Sequence, residues 1–558
     1  MTFQGAKILR TPAISRLALA MATTLAVSSA QAQVVNPIEP IKTNSGLVAG
    51  QVLEPGVKAW LGIPFAKPPT QDLRWQPPQP ISWDGTWNAD RLGPECIQDL
   101  RPHNINHYFA EEPTSENCLY MNVWAPEDAT ATSKLPVVVF IYGGGGTVGS
   151  SGIDTYAGQE IAKKDAIFVN FNYRVGILGF MAHPELSAEQ DGHSGNYAYL
   201  DQNAALKWIN ENIEQFGGDP ERVVIMGQSA GARAVTEQIY SPLSAGLFSG
   251  AVMSSGCTWD IAGTSLEDGE KTGLEVQAAL GVDSLEAMRY VPADKILAIQ
   301  NETQLGVSRS GIRTSGVIDG YFMPKSQAEI QQAGEMNDVP IIAHFNRDEA
   351  STPFSAAKTV AEYEALASEL YGENAEAFLA TFPVASDDEV ADQTTAIALA
   401  NRHAKNAVGC AAIQSEVNES PAFISMFSRK HTFGDFDYAD IDEATVGAYH
   451  TADIPFWFGT LEAFNKFHNG RNWSDDDRAL SNDMMDSLIA FASTGNPATE
   501  AVAWEPWSAE NQMMMEFADS AELVSVNPEG IDWLAANPIP AAPAVPAPSR
   551  IEGVGPRD

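Results

Sequence analysis

Basic residues are scarce in this chain: 33 lysines and arginines stand against 72 aspartates and glutamates, a formal net charge of −39. That balance excludes a nucleic-acid partner, whose phosphates would be repelled. Steering of cationic substrates is one reading of the excess; a solvated acidic surface is the plainer one. Past the N-terminus no run of about 18 apolar residues occurs, so no membrane-spanning helix is expected. No group of His, Cys and Asp has ligand spacing, so neither a metal nor another cofactor is implied. No internal repeat is visible. Cysteine is sparse as well, with Cys96, Cys118, Cys257 and Cys410 allowing three full pairings. The local pair Cys96 and Cys118 is favoured, since it would pin a polar segment and contribute about 3 kcal/mol by closing a loop of that size.

What is present begins with an export signal. Lys7, Arg10 and Arg16 precede the apolar run "LALAMATTLAV", and "AQA" at 30 to 32 offers small residues for cleavage after Ala32. Residues 1–32 are therefore expected to be removed, leaving a protein in the periplasm or medium, where disulfides persist. Short apolar runs at 135–142, 166–175, 222–227, 250–256 and 339–345 suit strands buried on both faces of a mostly parallel sheet. Helix-period segments alternate with them, notably 199–216, with Leu200, Ala204, Ala205, Trp208 and Ile209 on one face. The alternation means α/β. The stretches 260–315 and 358–415 read as helical insertions, and the Pro/Ala-rich end, 536–558, as a disordered tail.

Chemistry enters at "GQSAGA". Ser229 is the centre of a G-x-S-x-G pattern between the strand "RVVIMG" and a helical segment, the setting of a sharp turn that exposes a serine nucleophile. Serine needs a base and an orienting acid, following it here in the order acid, then histidine. Asp348 and Glu349, in the turn after "VPIIAHF", are equal candidates for the acid. Of the histidines beyond Ser229, His450 lies between a small-residue loop and an aromatic run. His344, His403, His431 and His468 sit in strand, helix or charged contexts typical of structural histidines. The loop "IYGGGGTVGS" is ambiguous, because Gly144, Gly146 and Gly149 satisfy a dinucleotide G-x-G-x-x-G. The following strand, however, carries Asn170 and Asn172 where a ribose-binding carboxylate is required. Ser150 after Gly149 likewise rules out a phosphate-binding P-loop.

From about residue 45 to 525 the chain resembles the type B carboxylesterase and cholinesterase family of α/β-hydrolases. The resemblance is carried by "GIPFAKPPTQDLRWQPPQP", "ENCLYMNVWAP", "IYGGGG", "NYRVGILGF", "DQNAALKWINENIEQFGGDPERVVIMGQSAGA", "FNRDEAS" and "GAYHTADIPFWFGTL". It implies one α/β-hydrolase domain over 33–535 with a mostly parallel central sheet flanked by helices. It implies Ser229 as nucleophile, His450 as base and Glu349 as acid, acting on small-molecule esters through an acyl-enzyme. The oxyanion hole would be the backbone N–H groups of Gly144, Gly145 and Ala230, donors placed where the charge develops. By the same likeness Arg74 with Glu116, and Arg174 with Asp201, are internal salt bridges. Cys96 and Cys118 match the family's first disulfide, and Ser255 matches a serine that hydrogen-bonds behind the site.

Departures sharpen the reading. Gln228 stands where many members have Glu, removing a charge beside Ser229, and Thr451 follows His450 where Gly is more usual. The family's second disulfide is absent, so Cys257 and Cys410 either pair with each other or remain thiols. No Trp lies between Cys96 and Cys118, so a choline-stacking site is not supported. Gly146 stands where relatives often have Phe, which predicts a roomy loop that accepts bulky, even tertiary, alcohols. The alternative to a secreted esterase is a catalytically inactive binding or adhesion module, since the family includes members that have lost the serine.

Overall fold

Apolar, β-branched runs lacking a polar alternation can only be buried from both sides, and the chain satisfies them with one twelve-stranded sheet covered by helices. The computed structural model describes residues 36–99, 113–259, 262–300, 303–304, 307–308, 311–436, 442–443 and 445–540. The expected signal, 1–32, and residues 541–558 of the expected tail lie outside them.

In chain order the strands are β1 (Asn36–Pro37), β2 (Gln51–Glu54), β3 (Val57–Pro64), β4 (Tyr120–Pro126), β5 (Leu135–Ile141) and β6 (Ile167–Phe171). There follow β7 (Gly218–Gln228), β8 (Gly250–Ser254), β9 (Ile341–Asn346), β10 (Ala422–Phe427), β11 (Met513–Phe517) and β12 (Ala521–Ser525). Across the sheet they lie in the order β1-β2-β3-β4-β6-β5-β7-β8-β9-β10-β11-β12. Every pairing from β6 to β11 is parallel, and those at the two ends are antiparallel. Val137 of β5 sits opposite Ile167 and Val223, and all three side chains are fully buried. The chain is thus an α/β-hydrolase fold, a mostly parallel central sheet flanked by helices.

Helix α1 (Tyr197–Asn212) differs from the one-faced helix its periodicity predicts. Only Ala204, Lys207, Asn210 and Glu211 reach the surface, and buried polar residues on its other sides are paired within the protein. Asn203 donates to Leu243 O and Ser244 Oγ. Asp201 accepts two bonds from the Arg174 guanidinium, at 2.8 and 2.7 Å. A second, partly buried fork joins Arg74 to Glu116 at 2.7 and 2.6 Å. The stretch 260–315 carries the helices Leu266–Leu280, Leu285–Arg289 and Ala293–Gln300. The stretch 358–415 begins with helices Val360–Tyr371 and Ala375–Thr381. It continues with α3 (Val390–Asn401) and α4 (His403–Val417), separated at Arg402.

Cys96 is bonded to Cys118, and Cys257 to Cys410, which resolves the alternatives left open for the second pair. Among the described residues no helix is long and apolar enough to cross a membrane.

Candidate functional site

Parallel strands all end on one side of the sheet, the side where open α/β sheets present their functional groups. Here β5 runs out into the glycine loop, β7 into Ser229 and β9 into the turn holding Asp348 and Glu349.

Ser229 occupies a single strained residue between β7 and helix α2 (Ala230–Tyr240), with φ 57° and ψ −122°. Such backbone costs of order 1–3 kcal/mol and persists only where the surroundings enforce it. They do so by close packing. A Cβ on Gly231 would fall 2.0 Å from Ile141 O, and one on Gly227 would fall 2.2 Å from Gly231 O. The Ser229 N–H donates to Ser254 O at 2.8 Å, continuing the β7–β8 ladder into the turn. The side chain is left partly exposed at the tip.

The glycine loop lies against this turn. A Cβ on Gly143 would fall 2.5 Å from Gln228 O, and one on Gly144 2.3 Å from Val148 O. Among the described residues, no acceptor takes the backbone N–H of Gly144, Gly145 or Ala230. A Cβ on Gly146, by contrast, would meet only Phe180, at an ordinary 3.5 Å.

The His450 side chain is 34% exposed, that of Glu349 0%. His450 Nδ1 lies 2.5 Å from Glu349 Oε2, so Nδ1 carries the proton and Nε2 the lone pair. Nε2 meets the Gln228 amide nitrogen at 3.1 Å, and no hydrogen bond joins it to Ser229 Oγ in this resting arrangement. Asp348 is turned elsewhere: its Oδ2 accepts the Ala448 N–H at 2.7 Å and anchors the loop that leads into His450. Burial pushes the Glu349 carboxyl up, but the bond from His450, the nearby His403 and the Asn346 N–H outweigh it, leaving its pKa below the ordinary carboxylate value.

The loop carrying His450 is clamped from beneath by side chains that motif reasoning missed. Asp453, fully buried, accepts from Asn346 Nδ2 at 2.9 Å and from Ser254 Oγ at 2.7 Å, with His344 Nε2 3.3 Å away. Burial raises its pKa, yet these partners hold it below the usual value. His431 Nε2 donates to Ala452 O at 2.9 Å, while Arg471 Nε donates to His431 Nδ1 at 3.2 Å. An aspartate inside the apolar run "ADIPFWFG" was the available signal, because a buried charge requires partners. Ser255 differs from its expected role. Its N–H donates to His344 O, its backbone has φ 58°, and its buried hydroxyl has no hydrogen-bond partner. The strand's end turns Ser255 away and leaves its neighbour Ser254 to make the bond behind the site.

The arrangement can pass a proton from a serine hydroxyl to an imidazole held in one tautomer by a buried carboxylate, with unpaired N–H groups alongside. Several known proteins similar to this chain are named as esterases. The family profile described as "Carboxylesterase family" matches residues 38–530. Fumonisin B1 esterase of Sphingopyxis macrogoltabida is 39% identical over 389 residues, 68% of this chain and 69% of that one. Para-nitrobenzyl esterase of Bacillus subtilis (strain 168) is 29% identical over 500 residues, 88% and 96% of the two chains. A solved PNB esterase structure superimposes with a TM-score of 0.71 at 28% identity, covering 90% of this chain and 100% of that one. The chain belongs to the carboxylesterase family and is a carboxylic-ester hydrolase.

Proposed function

We propose that this carboxylesterase is a secreted serine hydrolase that works through an acyl-enzyme on Ser229. His450 takes the proton of Ser229 Oγ as the oxygen attacks the ester carbonyl, and buried Glu349 stabilises the imidazolium that forms. The N–H groups of Gly144, Gly145 and Ala230 receive the oxyanion; a donor of this kind is worth roughly 3 to 4 kcal/mol in the transition state. The imidazolium then protonates the departing alcohol, and water, deprotonated by His450, repeats the attack to release the acid. The observation that carries this reading is the strained Ser229 turn beside a histidine whose Nδ1 is bound to a fully buried glutamate. Ser229→Ala is expected to abolish hydrolysis of p-nitrophenyl butyrate with the fold intact; retained turnover would overturn the assignment.

Two finer points belong to the same proposal. The lack of a side chain at Gly146, with Phe180 as the one neighbour a Cβ would meet, favours esters of bulky alcohols, tertiary ones included. Export rests on the N-terminal charge and apolar pattern and on two bonded cysteine pairs.

A further inference from the structure

Glu349 faces two histidines. Its Oε2 meets His450 Nδ1, while Oε1 accepts the Asn346 N–H at 2.9 Å and lies 3.4 Å from Nδ1 of His403, itself nearly buried. We propose that His403 is a positioning residue for the esterase reaction: as a neutral imidazole it donates Nδ1–H toward Oε1 of Glu349, fixing the carboxylate's rotation so that Oε2 stays on His450. This role rests on the Ser229, Glu349 and His450 assignment above.

A glutamate carboxylate turns about its terminal bond, and a single backbone N–H on Oε1 leaves that rotation loosely held. A second donor on the same oxygen, from another element, restricts it. His403 is well placed to serve. It opens helix α4, whose positive end disfavours a second proton on the ring. Burial, the largest influence, and the neighbouring Arg402 and His450 push its pKa down, against the pull of Glu349. Phe345 stacks near its ring, at 6.4 Å between centroids. The helix itself is tied down, because α4 packs on β9, the strand that leads into the turn holding Glu349. Cys410, two turns beyond His403, is bonded to Cys257, two residues past Ser255. The disulfide therefore fixes α4, and with it His403, against the site. At 3.4 Å the contact is long for a strong hydrogen bond, so its loss should slow the reaction without abolishing it.

The test compares His403→Leu, which removes the donor, with His403→Asn, whose side-chain amide replaces Nδ1–H. Rates are expressed per active site titrated with an organophosphonate. The expected result is a kcat about tenfold lower in the Leu variant, with KM within about twofold of wild type, and recovery of at least half of kcat in the Asn variant. A Leu variant with wild-type kcat, or an Asn variant as slow as Leu, overturns the proposal. So does a lowered unfolding midpoint with kcat per titrated site unchanged, which is what a purely structural histidine would show. Should the Leu variant not fold, 15N spectra of histidine-labelled wild-type protein at pH 7, assigned with His403→Asn, decide the matter. A neutral Nδ1–H tautomer at His403 is expected; an Nε2–H tautomer or an imidazolium overturns it. Turnover surviving in Ser229→Ala would instead remove the parent assignment, so the two failures are distinguishable.

Discussion

The Gln228 amide nitrogen lies 3.1 Å from Nε2 of His450, the nitrogen that accepts the Ser229 proton in the proposed mechanism. With Nδ1–H committed to Glu349, the amide donates and Nε2 accepts. In the proposed mechanism the His450 imidazole is thus capped by a neutral donor that yields to Ser229 when substrate binds, a tightening common in hydrolytic sites.

Replacing that neutral group by a carboxylate changes the charge felt by the imidazolium. In Gln228→Glu the acid limb of the kcat/KM profile should move to higher pH by about half a unit to one unit, since an anion at this distance favours the protonated ring. A pH–rate profile of the two proteins checks this. An unmoved or lowered limb would show that Gln228 does not act on His450.

The proposed acceptance of bulky alcohols rests on the sparse surroundings of Gly146. Gly146→Phe should cut the ratio of tert-butyl acetate to n-butyl acetate hydrolysis about tenfold or more, the range that one pocket contact can supply. Gas-chromatographic assay of both esters reads the ratio directly. An unchanged ratio would refute the roomy-loop account.

His431 links stability to pH. Burial, reinforced by Arg471, pushes its pKa down to about 3, against roughly 6.5 in an unfolded chain. The folded ring refuses a proton that the unfolded chain accepts between those values. Its contribution is thus complete above about pH 6.5 and is lost as pH falls, by up to about 1.4 kcal/mol per pH unit. His431→Gln, whose amide can still donate to Ala452 O, should flatten the fall in unfolding free energy between pH 6 and 4 by about 1 kcal/mol per unit. Unfolding free energies from urea denaturation that fall equally with pH in the two proteins would contradict it.

Arg174 neutralises a carboxylate with no exposed surface. Arg174→Met would strand Asp201 as an unpaired buried charge, and a loss of about 3–5 kcal/mol in unfolding free energy is expected. A thermal midpoint within a degree of wild type would mean that water reaches Asp201.

How far the sequence alone reaches is clearest at particular residues. The strands were legible because a run such as Val137 to Ile141, apolar without alternation, has no other stable setting than a two-sided sheet. Strand β7 begins at Gly218 rather than at 222, since polar residues at its exposed start carry no hydrophobic signal. Periodicity alone makes helix α1 look one-faced, because a polar residue such as Asn203 shows nothing of its buried partners in the sequence. At the site, Asp348 and Glu349 are adjacent carboxylates of similar chemistry, and only the direction of the turn sends one to His450 and the other to Ala448. The hydroxyl behind the site belongs to Ser254 rather than Ser255, a one-residue difference that flips a side chain across the sheet. His403 gave no signal at all, because its contact with Glu349 depends on how helix α4 packs against β9.

The central claim, an acyl-enzyme on Ser229, is tested most directly by locating the covalent adduct. The protein is treated with a fluorophosphonate, digested, and mapped by mass spectrometry beside Ser229→Ala. The account predicts one phosphonylated residue, Ser229, loss of esterase activity in proportion to labelling, and no adduct in the variant. Full labelling at another residue, or inactivation of the wild type without an adduct on Ser229, would contradict it.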